Sequence, residues 1–277
     1  MEFAVTDDED EKDELEALLE SREAEAGPDV ADPQAVVAAN VPADLIDRYE
    51  IHSYKGAAAI LNQVHRPLFD EVIECLRNFA ITTKMIRTAG GNESEIPKVI
   101  SAHLRPKGWH ETMIQGDLVI TKAWREQVRV TKTGKPVIQG KTETLTRSKY
   151  LDGHKIDYVK GRVAFDLEWN SKDQTFDRDL YAFAAFAQCG VVDVAILVTR
   201  SESLNDVFRA LGPSLKKDGT VELKKNGKER LTMEKYGAST TWMRKLTYRL
   251  NAGRNGGCPV LVVGITPKCI SDWNPDA

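Results

Sequence analysis

The sequence predicts an α/β fold in which a mixed central β-sheet is flanked by helices. First, residues 156–170 have the pattern of two strands joined by a tight turn at Lys160-Gly161. Second, a helical pattern follows, and the nearly continuous apolar run from Val191 to Thr199 is typical of a buried central strand. Third, a last helix leads to an apolar strand from Pro259 to Ile265. The strand–helix–strand order implies parallel neighbours joined by right-handed crossovers, and therefore a mixed sheet.

The N-terminal segment differs from the rest in charge. Residues 1–35 contain fourteen acidic and two basic side chains, a net charge of −12, which leaves +8 for the remainder of a chain that totals −4. Residues 1–45 also have little apolar surface, and we predict that they form a disordered acidic tail. Residues 46–277 are predicted to form a single folded domain. Its basic balance favours a polyanion such as nucleic acid.

The elements before the central hairpin are predicted from apolar spacing. Residues 43–86 have a helical pattern, in which Pro67 either kinks the helix or begins a new one. Ser94 is a candidate N-cap for a helix that ends near Pro106. Residues 128–138 predict a hairpin around a Lys132–Lys135 turn.

Basic residues outside the core are the candidates for nucleic-acid contacts. The hairpin and the segment 201–230, which we predict to be loop-like, carry many of them, and phosphate contacts from such residues position a protein on DNA without reading its sequence. The candidate contacts are Lys132, Lys135, Arg200, Lys224, Lys225 and Arg244.

An unusual pair of acids lies in the strand after the central turn. Because side chains of a strand alternate between its faces, Asp166, Glu168 and Asn170 share the face opposite the apolar one. Two carboxylates this close repel and raise each other's pKa. A divalent cation such as Mg²⁺, which prefers hard oxygen ligands, removes that conflict. Asp157, on the strand before, is the natural third carboxylate.

This arrangement resembles the active site of the PD-(D/E)XK nucleases. Asp157 matches the first acid and Asp166 the second, while Glu168 stands where most of these enzymes have lysine. An acid occupies that place in some restriction endonucleases. The region from about Gly90 to Arg200 is similar to BglII-type restriction endonucleases, through residues 90–98, residues 104–109 and the helix after the acidic strand.

The resemblance implies roles for these residues. Asp157, Asp166, Glu168 and the backbone carbonyl of Leu167 would bind Mg²⁺, or Mn²⁺ in its place. Glu95 would support the metal site from an upstream helix, unless it is only an acid favoured by the helix dipole. Asn170 would be a second supporting residue, or the second member of a shifted Glu168-Asn170 pair.

Lys172, close to these acids in the chain, either balances their charge or lies in solvent. The implied activity is that of a Type II-like restriction endonuclease, which hydrolyses double-stranded DNA as a homodimer.

Two other classes of function stay open at this point. A DNA-binding module of the same fold would keep the basic surface but lack cleavage. A small-molecule α/β enzyme is disfavoured by the basic body and by the lack of a glycine-rich nucleotide loop.

The sequence also bears on where the protein works. No apolar run approaches the roughly 18 to 20 residues that a membrane span needs. No secretory signal is visible, and the four cysteines have no metal-binding spacing. We therefore expect a cytoplasmic protein with reduced thiols and no membrane partner.

Overall fold

Six strands form one mixed sheet in the order β1-β6-β5-β4-β3-β2. The computed structural model describes residues 29–88, 94–237 and 239–274. β4, β5 and β6 are parallel, whereas β1 is antiparallel to β6 and β3 is antiparallel to β4. The strands are β1 Tyr49–Tyr54, β2 His110–Val130, β3 Pro136–Lys160, β4 Val163–Glu168, β5 Val194–Arg200 and β6 Val260–Ile265. The predicted fold class is confirmed.

Helices flank this sheet. The described helices are α1 Gln34–Asn40, α2 Ala43–Arg48, α3 Ala57–Gln63, α4 Arg66–Asn78, α5 Thr83–Arg87, α6 Glu95–Leu104, α7 Thr175–Gln188, α8 Leu204–Ala210 and α9 Met243–Asn251. Alternate residues of β4, Phe165 and Leu167, belong to the main hydrophobic core together with residues of α1 to α6. α7 contacts β4 and β5 and also α9.

The predicted hairpin between β3 and β4 is confirmed. Tyr158 is paired with Phe165 and Lys160 with Val163, so the turn falls at residues 161 and 162. Gly161 has a φ of 57° there, in the left-handed region that glycine tolerates best. The rings of Tyr158 and Phe165 meet edge to face with centroids 5.6 Å apart, which fixes both on the core side of the sheet.

The chain divides into two compact units. One unit contains the residues up to Glu111 and from Ile156 onward, and the other contains Thr112–Lys155. The second unit consists of the outer parts of β2 and β3 and the turn between them. We refer to Thr112–Lys155 as the arm.

The predicted extent of the acidic tail is wrong at its C-terminal end. Residues 34–40 and 43–48 are helices α1 and α2, and Val37, Val41 and Leu45 are buried in the core. Residues 1–28 of the predicted tail lie outside the described residues, as do residues 89–93.

Two further sequence expectations need correction. The helical pattern assigned to residues 43–86 is interrupted by β1, which pairs with β6. The segment 201–230 contains α8, whose residues Leu204, Val207 and Phe208 are buried, so it is not loop throughout. Pro67 lies in the first turn of α4 and therefore begins a new helix.

The structure bears on two simpler expectations as well. Cys75, Cys189, Cys258 and Cys269 are all free thiols. Within the described ranges, no helix combines the length and the apolar character that crossing a bilayer requires.

Candidate active site

Asp157 and Asp166 lie side by side on β3 and β4. The backbone N–H of Asp157 donates to Asp166 Oδ1 at 2.7 Å. This carboxylate therefore links β3 to β4 just beyond their last paired residues, Tyr158 and Phe165. Residues opposite each other in an antiparallel pair share a face of the sheet. Since Tyr158 and Phe165 face the core, Asp157 and Asp166 face the other side, which for Asp166 is the face that the sequence predicted.

Glu168 follows on the same face of β4, at the last residue of the strand. Asp166 is only 4% exposed and Glu168 only 7% exposed. Asp166 Oδ2 and Glu168 Oε2 are both buried without a hydrogen-bond partner. Buried polar atoms almost always have partners in proteins, so two unsatisfied carboxylate oxygens on one face indicate a site that binds something.

Asp179, which the sequence analysis missed, is the fourth acid of this cluster. It lies on α7 and is 1% exposed. It lies close enough to Glu168 to raise the pKa of that carboxyl group, and Arg178 Nη2 is 3.2 Å from Asp179 Oδ1 and 3.7 Å from Glu168 Oε1. A sequence signal existed, because Asp179 stands among Phe176, Leu180 and Phe183 at core spacing, where an acid is unexpected.

The electrostatics of the cluster follow from burial and like charge. Burial raises the pKa of Glu168 to about 7, and the neighbouring Asp179 adds to this rise. Burial, followed by Asp179 and Asp157, raises the pKa of Asp166 well above its usual range. The pKa of Asp157 is raised by partial desolvation and by Asp179. Asp157, Asp166 and Glu168 therefore hold protons more tightly than isolated carboxyl groups do, and a cation would relieve the same repulsion.

The end of β4 is anchored through its backbone. The carbonyl of Glu168 accepts hydrogen bonds from Thr199 Oγ1 at 2.8 Å and from Thr241 Oγ1 at 3.2 Å. The backbone N–H of Thr241 also donates to the carbonyl of Ser171 at 2.9 Å. These contacts fix the backbone at Glu168 relative to β5 and the segment before α9.

Arg200 belongs to this anchor and not to the DNA-contacting surface that we predicted for it. It is 1% exposed, and its Nε donates to the carbonyl of Thr241 at 3.0 Å while its Nη2 donates to Thr240 Oγ1 at 2.6 Å. Its guanidinium lies over the rings of Phe208 and Tyr236. A buried guanidinium with these partners supports the fold and is inaccessible to a phosphate.

The supporting residues that we predicted are placed as follows. Asn170 Nδ2 donates to the carbonyl of Lys235, while its Oδ1 is a third buried oxygen without a partner. Lys172 is exposed, and its backbone pairs with that of Thr240. Glu95 is exposed at the first residue of α6, and Leu167 packs in the core between the two acids of β4.

A groove opens beside the end of β4. Leu167, Trp169 and Asn170 line it together with Lys235 and Tyr236. Lys235 Nζ donates to the carbonyls of Ile86, Arg87 and Thr88, which places this cation at the C-terminal end of α5. Desolvation lowers the pKa of Lys235 to about 8.

The donor set fits a hard divalent cation. In the part of the chain that the structure describes, no three His, Cys, Asp or Glu residues converge in a ready metal-binding geometry. Mg²⁺, however, commonly takes only one or two carboxylates and completes its shell with water and phosphate. The two partnerless oxygens of Asp166 and Glu168 provide those carboxylates.

Most of the predicted DNA-contacting residues lie on the surface. Lys132, Lys135, Lys225 and Arg244 are exposed, and exposed Lys224 is paired with Glu234 at 2.7 Å. Two other basic residues, both on α9, are buried instead. Lys245 and Arg249 both contact Asp173, at 3.2 and 3.3 Å.

Comparison with known proteins identifies the family of this chain. No curated protein matches the chain. A family model described as "Restriction endonuclease BglII/BglIII" matches residues 49–265, well over half of the sequence. The match begins at the first residue of β1 and ends at the last residue of β6, so it contains the whole sheet and all four acids. The chain belongs to the BglII/BglIII restriction endonuclease family and is a nuclease that acts on DNA.

Proposed function

We propose that this nuclease hydrolyses phosphodiester bonds of double-stranded DNA, as a Type II-like enzyme, with Mg²⁺ or Mn²⁺ bound at a PD-(D/E)XK-type site. The observation that carries the proposal is the pair of buried carboxylates on one face of β4, each with an oxygen that has no hydrogen-bond partner. Such oxygens are costly in a structural protein and useful in a cation site.

The cation would be held by Asp157, Asp166, Glu168 and the carbonyl of Leu167. When bound, it would polarise the scissile phosphate and stabilise the charge that develops on the leaving oxygen. Asp166 is held by the backbone of Asp157, so its free oxygen has a fixed position. Such a preorganised ligand needs little reordering when the cation and DNA arrive.

Glu168 has a second role in this proposal. We propose that the Glu168 carboxylate accepts a hydrogen bond from the attacking water and orients it beside the cation. Lysine, the usual residue at this place, could not accept a hydrogen bond while protonated.

The same proposal includes a homodimer. Each chain carries one candidate site, and cutting both strands at a symmetric sequence requires two copies related by a two-fold axis. The acidic side chains and the exposed basic residues of one chain would serve to cut one strand of the DNA. Sedimentation of the protein with and without a DNA duplex tests this part of the proposal.

The direct test is cleavage of plasmid and phage DNA with and without Mg²⁺. We expect discrete fragments with Mg²⁺ or Mn²⁺ and intact DNA with excess chelator, because the carboxylates alone cannot offset charge on the phosphate. Sequencing the fragment ends identifies the recognised sequence. Binding without cleavage under all cation conditions would contradict the proposal and favour a DNA-binding module of the same fold.

Asp179 should matter for the cation and not for DNA binding. The substitution Asp179→Asn removes a charge that contacts Glu168 but preserves the size of the side chain. Residues that hold metal ligands in place commonly change metal affinity or activity by about 10 to 100-fold. We expect the Mg²⁺ concentration for half-maximal cleavage to rise by that order, with DNA affinity unchanged.

Calorimetric titration with Mn²⁺ provides a reading for this variant that is independent of cleavage. The matched control is Asp206→Asn, an exposed helical aspartate on α8. A normal Mn²⁺ affinity in Asp179→Asn would show that Asp179 is only part of the fold.

A further inference from the structure

The arm is a two-stranded ribbon with little core of its own. From Val119 to Val130 every residue of β2 is exposed, and β3 is largely exposed from Ile138 to Tyr150. Two-stranded ribbons without a packed face are marginally stable in water. Contact with a partner would explain why such a long exposed ribbon is part of this protein.

The turn of the arm fixes which side chains share a face. The backbone N–H of Thr131 donates to the carbonyl of Lys135 at 2.8 Å, and that of Gly134, with a φ of 80°, donates to the carbonyl of Thr131 at 2.9 Å. In such a three-residue turn the residues at its two ends face each other. Counting back from this turn, Arg129 comes opposite Val137 and Val128 opposite Ile138, and alternation along each strand puts Arg125 and Lys141 on the face of Arg129. Further from the turn the pairing shifts by one residue, because Lys122 contacts Glu143 and Thr121 contacts Thr144.

The other face of the same ribbon is apolar. Trp124, Val128, Val130 and Ile138 alternate with the basic residues and are between 43% and 58% exposed. The end of the arm therefore has a basic face, made of Arg125, Arg129 and Lys141, and an apolar face, made of these four residues.

The charge of the arm is strongly unbalanced. Residues 112–155 contain nine lysines and arginines against four aspartates and glutamates, a net charge of +5. Lys122 is paired with Glu143 at 2.7 Å. In the described part of the chain, Arg125, Arg129 and Lys141 form no ion pair. Their charges are available to an external polyanion.

We propose that the basic face of the arm binds the sugar–phosphate backbone of duplex DNA. The inference rests on the proposed function, in which duplex DNA is the substrate. The major groove of B-DNA admits a two-stranded β-ribbon, and guanidinium groups match phosphate oxygens in charge and geometry. Arg125, Arg129 and Lys141 would then add phosphate contacts to those made by the nuclease unit.

The test measures DNA affinity against salt for the full-length protein with Arg125, Arg129 and Lys141 all replaced by glutamine. A duplex of mixed sequence without divalent cation suffices, because phosphate contacts do not read bases. Each lost contact makes the slope of log affinity against log salt less negative by about 0.9, so we expect a change of about 2.7 and roughly 10 to 100-fold weaker binding at moderate salt.

Two control variants separate charge from shape. The exchange Arg125→Lys, Arg129→Lys and Lys141→Arg keeps the charge and should keep the salt slope. The pair Trp124→Ser and Ile138→Thr changes only the apolar face and should leave both affinity and slope unchanged. Trp124, Arg125, Arg129 and Ile138 are exposed and Lys141 is half-buried, so circular dichroism is expected to confirm a normal fold.

Two outcomes would overturn the arm proposal. One is an unchanged salt slope in the glutamine variant. The other is a loss of affinity from the apolar-face variant accompanied by a smaller sedimentation coefficient, which would assign the arm to contact between copies of the chain. Failure of the wild-type protein to bind or cut DNA would instead refute the proposed function. If the wild-type protein cuts DNA normally and the glutamine variant keeps the wild-type salt slope, the arm proposal alone is refuted.

Discussion

Replacing Asp166 by asparagine is expected to abolish DNA cleavage while making the protein without cation more stable. The amide oxygen of asparagine can still accept the hydrogen bond from the Asp157 N–H, but the buried charge is gone. Since a bound cation is worth several kcal/mol to the transition state, loss of a main ligand should lower the cleavage rate at least about 1000-fold. The melting temperature in chelator should rise, because repulsion from Asp157, Glu168 and Asp179 is removed.

The opposite directions of these two effects make the experiment specific. A variant that loses activity by misfolding would also lose stability and DNA affinity. We therefore expect duplex binding without divalent cation to match wild type, and Asp206→Asn to change neither cleavage nor melting. Cleavage at the wild-type rate by Asp166→Asn would remove Asp166 from the proposed site.

The stability of the cation-free protein should fall as the pH rises through about 7. Glu168 has a folded-state pKa of about 7 against an ordinary value of 4.5, so the folded protein binds this proton more tightly than the unfolded chain. The stabilisation is fully present below the unfolded pKa and is lost as the pH passes the folded one. The difference between the folded and unfolded pKa values of Glu168 corresponds to about 3 kcal/mol in the free energy of unfolding.

Denaturant unfolding between about pH 5 and 8.5, in chelator and in Mg²⁺, measures this effect. Because a cation binds the deprotonated carboxylates, Mg²⁺ should restore stability mainly at the upper end of this range. Glu168→Gln stays neutral at every pH and should give a flatter profile. A cation-free profile that rises from pH 5 to 8 in the wild type would show that Glu168 is not the buried acid described above.

The central part of the fold was predictable because its signals are local. The β3–β4 hairpin follows from alternation around Gly161, and β5 follows from a continuous apolar run. β1 was missed because Tyr49 and Ile51 also fit a helical pattern, and the residues that pair with β1 lie more than 200 positions later, in β6. Long-range pairing decides the structure of such a short segment.

The extent of the tail was misjudged for a compositional reason. Val37, Val41 and Leu45 recur at helical spacing, but they follow an acidic stretch, and Pro42 lies between Val41 and Leu45. Pro33 and Pro42 precede helices α1 and α2 directly and therefore act as their starting points. Proline marked the boundary of a helix in both places, and not a region without structure.

The candidate site was predicted in part. Asp166 and Glu168 were found because they alternate on one strand, and Asp157 because it lies close by on the preceding strand. Asp179 comes from a helix, and its proximity to Glu168 depends on how α7 packs against β4. Arg200 illustrates the converse: a base at the end of a strand can be recognised from sequence, but whether its charge faces solvent or the core depends on Phe208, Tyr236 and Thr241.

The buried bases have a consequence for how quickly the enzyme captures its substrate. Arg200 is enclosed by the fold, and Lys245 and Arg249 are neutralised locally by Asp173. Paired charges act as short-range dipoles and attract a distant polyanion only weakly. Diffusional encounter is therefore governed by the solvent-facing lysines and arginines, and the formal excess of positive charge overstates the long-range attraction.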